Sequence, residues 1–278
     1  AIVLLLPLLI RIVYPLLMSI TLAVIGGGNM AKAIVEGAIA GDILENDAIA
    51  VADPDELSRL YFEKLGCKTF QSAEELPNSP RVLLAVKPQM FHQVAPHIHG
   101  EVVYSIMAGI TINQIEKAVG HNRIVRIMPN LPCSIGYGAA GLSLGVSTSQ
   151  EDASLAHQLF SAIGIVTEVK EELMDAVTAV SGSGPAYLFF LAEAMIEGGV
   201  QSGLDQETAD ALVRQTLLGA SALLLRDERS ATELREAVTS KGGTTAAALQ
   251  LLDERKVSKS IADAVVAARD RGRELGNK

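Results

Sequence analysis

The sequence predicts a chain in two parts, a doubly wound α/β sheet followed by an all-helical region. First, short β-branched runs alternate with helical stretches from Ile20 onward, which is typical of βαβ units in a mostly parallel sheet. Second, a glycine-rich loop follows the first of these runs and precedes a helical stretch. Third, the strand pattern stops after about Lys170. The two parts are therefore expected at residues 18–170 and 171–278.

Each predicted strand is a short apolar run that precedes a turn or a helical stretch. The expected strands are Ile20–Ile25, Ala48–Ala52, Arg81–Val86, Val102–Met107, Ile124–Met128, Leu142–Val146 and Ile165–Val169. The stretches between them that are helical in pattern are Lys32–Ala40, Glu56–Leu65 and Gln150–Ile163. Because crossovers between parallel strands are right-handed, this order predicts a doubly wound sheet.

The second part is expected to consist of helices alone. The segment Tyr187–Glu197 is apolar nearly all round, which predicts a buried central helix. Asp205 can cap a helix that runs to about Arg226, and Ser230 has a capping-box partner in Glu233. Two further helices are expected, at Thr244–Glu254 and from Ser258 or Ser260 through Arg269.

Composition and charge exclude several classes of function. The 278 residues include 23 basic and 32 acidic ones, a net charge of −9, which argues against a nucleic-acid partner because binding phosphates needs a basic face. A hydrophobic share of 49% excludes a disordered chain. The two cysteines, Cys67 and Cys133, form no CxxC pair, so a disulfide scaffold is excluded and a reducing compartment is expected. The five histidines are scattered, and no metal site is expected.

Residues 1–17 form an apolar leader that we expect to lie outside the working fold. Arg11 stands in its middle, where a charge facing lipid is costly, and Pro7 and Pro15 interrupt helical hydrogen bonding. The segment also lacks the basic start and the small-residue cleavage site of a signal peptide. A misassigned start or an expression remnant explains these features. A genuine membrane anchor is the alternative, and a membrane partner is not expected.

The loop Gly26–Ala31 carries the main chemical signal, because it fits the pattern G-x-G-x-x-A between a strand and a helix. In such a loop Gly26 allows the tight turn and Gly28 lets the backbone approach a pyrophosphate, while Ala31 keeps the helix close to the sheet. The helix start supplies free N–H groups and a positive dipole end for phosphate. The pattern therefore predicts a Rossmann-type dinucleotide site, the alternative being a glycine turn without a ligand.

Asp53 follows the second predicted strand, where a carboxylate can accept hydrogen bonds from an adenosine ribose. This position favours NAD over NADP, because the carboxylate would repel a 2′-phosphate. Arg59 is the nearby cation that could bind such a phosphate instead, although it lies a helical turn or more away. A turn or helix cap before Pro54 is the other interpretation of Asp53.

Several motifs, in chain order, resemble those of the pyrroline-5-carboxylate reductase family from about Ser19 to Leu275. The matching segments are Gly26–Ala31, Ala85–Gln89, Ser105–Ile110, Arg126–Pro132, Ala179–Tyr187 and Leu234–Thr245, of which Ala179–Tyr187 is the most specific. Three residues depart from the family's motifs. Met107 stands where a small residue is usual, Leu131 replaces a threonine and Lys241 replaces a proline.

The resemblance implies reduction of 1-pyrroline-5-carboxylate to L-proline with a hydride from NAD(P)H, the final step of proline biosynthesis, in the cytoplasm. It also implies a homodimer or larger homo-oligomer, with residues 171–278 as the dimerisation and substrate domain. The implied cofactor-binding residues are Gly26, Gly28, Asn29, Met30, Ala31, Asp53, Val86, Lys87, Pro88, Ala108 and Gly109. The implied substrate-binding residues are Ser240, Gly242, Gly243, Thr244 and Thr245, with Thr245 and Glu228 as catalytic residues.

The implied substrate loop also makes physical sense. Gly242 and Gly243 leave backbone N–H groups open at the start of a helix, which suits a carboxylate. By resemblance, the Thr245 hydroxyl would reach the ring nitrogen and Glu228 would lie near it; an exposed charge at a helix end is the alternative for Glu228. For Lys87 the alternative is a solvated surface lysine.

Two rival functions remain open from the sequence. One is a β-hydroxy-acid dehydrogenase with the same two-part plan, for which Lys241 is the nearest candidate for a catalytic lysine. The other is a nucleotide-binding sensor without turnover, since fold alone does not establish catalysis. The segment Ser181–Tyr187 is expected beside the nicotinamide site, or else to be only a capped turn that opens a helix.

Overall fold

The computed structural model describes residues 20–276, so the apolar leader lies outside the described residues. These residues form two compact units: one runs up to Gly182 and includes the chain from Arg269 onward, and the other is Ser183–Ala268. The first unit extends beyond Lys170 because the segment after the last strand packs back on the sheet, where Met174 and Ala179 are fully buried.

The first unit is built on one eight-stranded sheet with the order β3-β2-β1-β4-β5-β6-β7-β8. Its strands are β1 Leu22–Ile25, β2 Ile49–Ala52, β3 Lys68–Phe70, β4 Arg81–Leu84, β5 Val102–Ser105, β6 Ile124–Met128, β7 Gly138–Leu144 and β8 Gly164–Glu168. All neighbours are parallel except β6 and β7, which are antiparallel. The predicted doubly wound, mostly parallel sheet is thus confirmed.

Helices cover both faces of this sheet. They are α1 Asn29–Ala40, α2 Glu56–Lys64, α3 Phe91–Val94, α4 Ile112–Val119, α5 Gln150–Ser161 and α6 Met174–Val177. Two separate apolar cores result, because successive side chains of a strand point to opposite faces. Leu22 and Val24 pack into the core that contains Phe62, whereas Ala23 and Ile25 pack into the core that contains Phe91.

Two strands differ from the sequence prediction. β3 was not predicted, because it has three residues, none of them buried, and includes the exposed Lys68. β7 begins at Gly138 and not at Leu142, since its first half is the low-propensity run Gly138–Gly141. That run is held by backbone pairing to β8, and its last residue, Gly141, also pairs with Met128 of β6. Local sequence pattern does not predict such long-range contacts.

The second unit is helical, as predicted. Its helices are α7 Gly184–Gln201, α8 Gln206–Arg226, α9 Ala231–Ala237, α10 Thr244–Glu254 and α11 Val257–Gly276, the last of which ends in the first unit. The Asp205 side chain caps α8 by accepting from Thr208 N at 2.8 Å. Ser230 and Glu233 form the predicted capping box at the start of α9.

The predicted burial of the helix Tyr187–Glu197 is wrong for the single chain. This segment lies within α7, which has no buried residue, and Phe190 is 73% exposed. The only buried residues of the neighbouring helix α8 are Ala209 and Val213, so residues 20–276 of one chain cover only part of α7. By length and composition the stretch Glu171–Gln201 would also suffice to cross a membrane, a property it shares with core helices of soluble proteins.

Candidate cofactor and substrate site

The turn after β1 can be made only by glycine at its first position. Gly26 has φ +101°, and a Cβ there would lie 2.7 Å from the carbonyl oxygen of Ala85. By contrast, Gly28 has an extended backbone and open space where a Cβ would stand. Gly26 therefore brings the loop against the end of β4, and Gly28 faces the free volume.

Gly27 is a constrained position that the sequence analysis missed. A Cβ there would lie 2.4 Å from Ser58 Oγ and 2.9 Å from the ring of Phe62. The Ser58 hydroxyl donates to the Gly27 carbonyl at 2.7 Å, so a side chain of α2 fixes the middle of the loop. The constraint on Gly27 comes from residues about thirty positions away in the sequence. The pattern G-x-G-x-x-A allows any residue at the position of Gly27.

Asp53 makes the turn contacts that the sequence left open as the alternative to ribose binding. One carboxylate oxygen accepts from Gly27 N at 2.6 Å and the other from Asp55 N at 2.8 Å. It therefore fixes the glycine loop and the turn after β2, while the cap of α2 itself is Asp55, which accepts from Ser58 N. A carboxylate has about four lone-pair sites, so Asp53 keeps capacity to accept from a ribose.

The Arg59 side chain forms hydrogen bonds with backbone carbonyl groups. Its Nη1 donates to the carbonyl oxygens of Asp53 and Pro54, both at 2.9 Å. The guanidinium group therefore supports the turn after β2 from α2.

A cavity of about 460 Å³ opens at the carboxyl ends of β1, β2 and β4. The strand order reverses between β1 and β4, the switch point where open α/β sheets bind their ligands. Its lining residues are Ile25, Gly26, Gly28, Ala52, Asp53, Pro54, Gln71, Ser72, Ala73, Glu74, Ala85, Val86, Lys87, Met90, Gln93, Val94 and His97. The cavity lies beside the start of α1, which carries no side-chain cap and so leaves its first N–H groups available to phosphate. The residues present therefore fit a dinucleotide.

Of the implied cofactor residues, the structure gathers Gly26, Gly28, Asp53, Val86 and Lys87 around this cavity. Asn29, Met30 and Ala31 lie in the first turn of α1, where Ala31 is buried, and Pro88 opens a 3-10 turn. Ala108 and Gly109 follow β5, where Gly109 has φ +76°. The wall formed by residues 71–74 was missed because it follows the unpredicted strand β3.

The implied substrate loop lies in the second unit. Gly242 has φ +72°, and Gly243 begins α10 without any side-chain cap, so the first N–H groups of that helix are open. Gly243 N donates to the Ser240 carbonyl at 3.0 Å, which closes the turn. Lys241 is exposed and Thr245 is half-buried. The expectation of an open Gly243 N–H is therefore wrong, because the turn uses this donor, and the donors left for a carboxylate are those of the first turn of α10.

Glu228 lies in the turn after α8 and is exposed. Its neighbours Asp227 and Arg229 pair with one another at 2.7 Å, and this pairing lowers the pKa of Asp227 to about 2. Both interpretations of Glu228 remain compatible with this position.

Known proteins of one family match this chain over nearly its full length. The sequence model described as pyrroline-5-carboxylate reductase dimerisation matches residues 171–275, and that of the NADP oxidoreductase, coenzyme F420-dependent, matches residues 21–109. A pyrroline-5-carboxylate reductase of Synechocystis is 39% identical over 267 residues, covering 94% of this chain and all of the relative.

The chain belongs to the pyrroline-5-carboxylate reductase family.

Solved structures of the family have the same fold. The pyrroline-5-carboxylate reductase of Coxiella burnetii superposes with a TM-score of 0.84 at 36% identity, covering 92% of this chain and 98% of its own. The Plasmodium falciparum pyrroline carboxylate reductase, solved with NADP bound, gives a TM-score of 0.82 at 29% identity, with 92% and 98% coverage.

The three departures from the motifs of pyrroline-5-carboxylate reductases have different surroundings in this member. Met107 is 2% exposed and packs in the core with Phe91 and Ile112, so the sheet accommodates its larger side chain. Leu131 is 54% exposed in the 3-10 turn after β6. Lys241 is exposed in the glycine loop.

Proposed function

We propose that this protein reduces 1-pyrroline-5-carboxylate to L-proline with a hydride from NAD(P)H. The observation that carries the proposal is the cavity between β1 and β4, bordered by Gly26, Gly28 and Asp53, in a chain that matches the family along nearly its whole length. The rival dehydrogenase and the sensor share the fold, but neither explains the full-length similarity.

The reduced nicotinamide supplies the hydride when it is bound. The chain's own contribution at the cofactor is to bind and orient. The open N–H groups at the start of α1 receive the phosphates, and Asp53 accepts from the adenosine ribose. Lys87, exposed at the end of β4, adds a cation on the same rim. Ala108 and Gly109 are proposed to border the nicotinamide end.

At the substrate, backbone donors do most of the binding. The N–H groups of Thr244 and Thr245 receive the carboxylate at the start of α10, with Ser240, Gly242 and Gly243 shaping the turn. The Thr245 hydroxyl is proposed to orient the ring through its nitrogen, so that catalysis rests mainly on proximity. Glu228 is proposed to stabilise the protonated imine, which is the better electrophile.

The acidic rim of the cavity supports a preference for NADH over NADPH. Asp53 and Glu74 both line it, and Asp55 follows two residues after Asp53. Arg59, which could have neutralised a 2′-phosphate, donates instead to two backbone carbonyls. A third phosphate at the ribose would therefore meet the carboxylate of Asp53 while Nη1 of Arg59 is held in the turn after β2. The Plasmodium relative, which was solved with NADP, shows that the family also accommodates the 2′-phosphate.

A homodimer or larger homo-oligomer is proposed to form through the helical part, residues 171–278, while residues 18–170 bind the cofactor. The similarity of residues 171–275 to a dimerisation family and the exposed apolar face of α7, with Phe189 and Phe190, support it. A cytoplasmic location, without a nucleic-acid or membrane partner, is part of the same proposal.

The test is the loss of nicotinamide absorbance with 1-pyrroline-5-carboxylate, measured in parallel with NADH and NADPH. Turnover with formation of proline supports the proposal, and the ratio of the two kcat/KM values tests the preference. Cofactor binding without turnover would favour the sensor. Turnover only with β-hydroxy acids and oxidised cofactor would favour the rival dehydrogenase.

A further inference from the structure

The buried side chain of Asn130 joins three separate parts of the first unit. Asn130 follows β6 and is 8% exposed. Its Oδ1 accepts from Ala139 N in β7 at 2.9 Å, and its Nδ2 donates to the carbonyl oxygen of Ser181 at 3.1 Å. The two partners fix the orientation of the amide, because an N–H needs an acceptor and a carbonyl needs a donor.

Ser181 belongs to a π-helical turn, Thr178–Gly182, between α6 and α7. Such a turn shifts main-chain hydrogen bonds from the fourth to the fifth residue, so carbonyl groups at its ends need other donors. The hydroxyls of Thr178 and Ser181 donate to the carbonyls four residues before them, at 2.9 and 3.0 Å. Asn130 supplies the donor for Ser181 itself. Three side chains thus stabilise a conformation that is rare and concentrated at functional sites.

This π-helical turn lies against the carboxyl end of β6. A Cβ on Gly182 would lie only 2.9 Å from the terminal methyl of Met128. The strand register pairs Leu84 with Ser105 and Ser105 with Arg126, so β4, β5 and β6 end at the same edge of the sheet. The cofactor cavity opens at that edge, and ligands of open α/β sheets lie outside it.

We propose that Asn130 is a positioning residue for hydride transfer. By holding the Ser181 carbonyl, it keeps the backbone of the π-helical turn at the sheet edge where the nicotinamide end of the cofactor lies. Both polar atoms of the Asn130 amide have partners within the protein, so its role is to act through Ser181. This role rests on the proposed function, because a hydride acceptor must be held within a few tenths of an ångström of its donor.

The variant Asn130→Asp tests the role because it is isosteric and responds to pH. An ionised carboxylate has no donor, so it places one oxygen against the Ser181 carbonyl. A protonated carboxyl group has one donor and one acceptor and restores both hydrogen bonds. We expect kcat of N130D to fall about 10-fold or more at about pH 8 and to recover relative to the unmodified enzyme as the pH is lowered towards about 5. The Kd for NADH, measured by nicotinamide fluorescence, stays within about twofold.

Asn130→Ser is the second variant, since its shorter side chain restores neither bond at any pH. It should lower kcat by a similar factor without recovery in acid, and it serves for the kcat and Kd measurements if N130D does not fold at neutral pH. Asn78→Asp, in an exposed loop before β4, is the matched control and should change neither kcat nor its pH dependence.

Amide hydrogen exchange of a peptide covering residues 174–188 gives a readout that needs no turnover. In N130D this peptide should exchange faster than in the unmodified protein at neutral pH and match it in acid, with other peptides unchanged. If this exchange pattern appears in a protein that does not reduce the imine, the proposed function is wrong, but the stabilisation of the π-helical turn by Asn130 is confirmed. Unchanged kcat in both variants, or a kcat loss with faster exchange throughout the first unit, would overturn the positioning role.

Discussion

The Asp53 carboxylate accepts a hydrogen bond from Gly27 N at 2.6 Å, which ties the end of β2 to the glycine loop after β1. The same carboxylate borders the cofactor cavity. One side chain therefore shapes the phosphate-binding loop and presents a negative charge to the ribose. A substitution that removes the whole side chain changes both properties, whereas Asp53→Asn removes the charge and keeps the bond to the loop: the amide oxygen still accepts from Gly27 N, and only the hydrogen bond from Asp55 N is lost.

We expect Asp53→Asn to shift the enzyme towards NADPH. Removing the charge lifts the repulsion of a 2′-phosphate, while the hydrogen bond to Gly27 is retained. The ratio of kcat/KM for NADPH to that for NADH should rise about 10-fold, equivalent to about 1.4 kcal/mol. Glu45→Gln, an exposed acid in the loop before β2, is the control. An unchanged ratio in D53N would show that Asp53 does not discriminate between the cofactors.

Replacing Gly26 by alanine is expected to lower mainly the stability of the protein, whereas replacing Gly28 by alanine is expected to lower mainly its affinity for the cofactor. At Gly26 the positive φ and the Ala85 carbonyl at 2.7 Å from a Cβ should cost about 2–4 kcal/mol of stability. At Gly28 the backbone is extended and the Cβ enters open space, so stability should fall by no more than about 1 kcal/mol, the cost of alanine at the N-cap of α1.

Urea unfolding of the two variants checks the stabilities, and nicotinamide fluorescence checks cofactor binding. Gly28→Ala should lower NADH affinity by about 10-fold or more, because its methyl group enters the volume assigned to the pyrophosphate. Full NADH affinity in a folded G28A protein would place the phosphates elsewhere.

Thr245→Ala is expected to lower kcat by about 10²-fold with little change in the Kd for NADH, because the substrate ring loses its orienting hydroxyl. Thr245→Ser keeps the hydroxyl and should recover most of the activity. Thr232→Ala, exposed in the first turn of α9, is the control for an alanine in this unit. Near-normal kcat in T245A would refute the role.

Local pattern predicted the sheet and the glycine loop because both depend on short-range chemistry. A strand followed by Gly26 and a helix start gives the dinucleotide loop from consecutive residues. The need for glycine at position 27 could not be predicted, since the space for a side chain there is limited by Ser58, which is distant in the sequence. β3 was missed for a related reason: three residues, none of them buried, form a strand only because they pair with the edge of β2.

The failed burial prediction for α7 has a different cause. Its apolar residues do indicate a helix that needs covering, but the part of the chain that the structure describes leaves every residue of this helix at least partly exposed. Asn130 shows the same limit inside the first unit. Its sequence position suggests a turn after β6, whereas its partner Ser181 is 51 residues away. The local sequence pattern does not predict contacts between distant segments of one chain or between copies of the chain.

The ion pair between Arg123 and Asp152 predicts a specific loss of stability in acid. Asp152 is buried, accepts from Arg123 Nη2 at 2.5 Å and caps α5 with Ser149, and the guanidinium hydrogen bond lowers its pKa from 3.8 to about 2. A carboxylate with a lowered folded-state pKa stabilises the fold above its unfolded pKa, and this contribution disappears as the pH falls from about 4 to about 2. Because the Arg123 side chain is 39% exposed, the contribution is about 1–2 kcal/mol.

Asp152→Asn tests this in urea unfolding experiments at a series of pH values. The stability difference between the unmodified protein and D152N should be about 1–2 kcal/mol at about pH 6 and should shrink steadily below about pH 4, since protonation then removes the same charge. Asp263→Asn removes an exposed partner of Lys259 four residues away in α11 and should change stability by less than about 0.5 kcal/mol throughout. A difference for D152N that stays constant down to about pH 2.5 would mean that Asp152 stabilises α5 by its shape and hydrogen bonding, and that its charge contributes nothing.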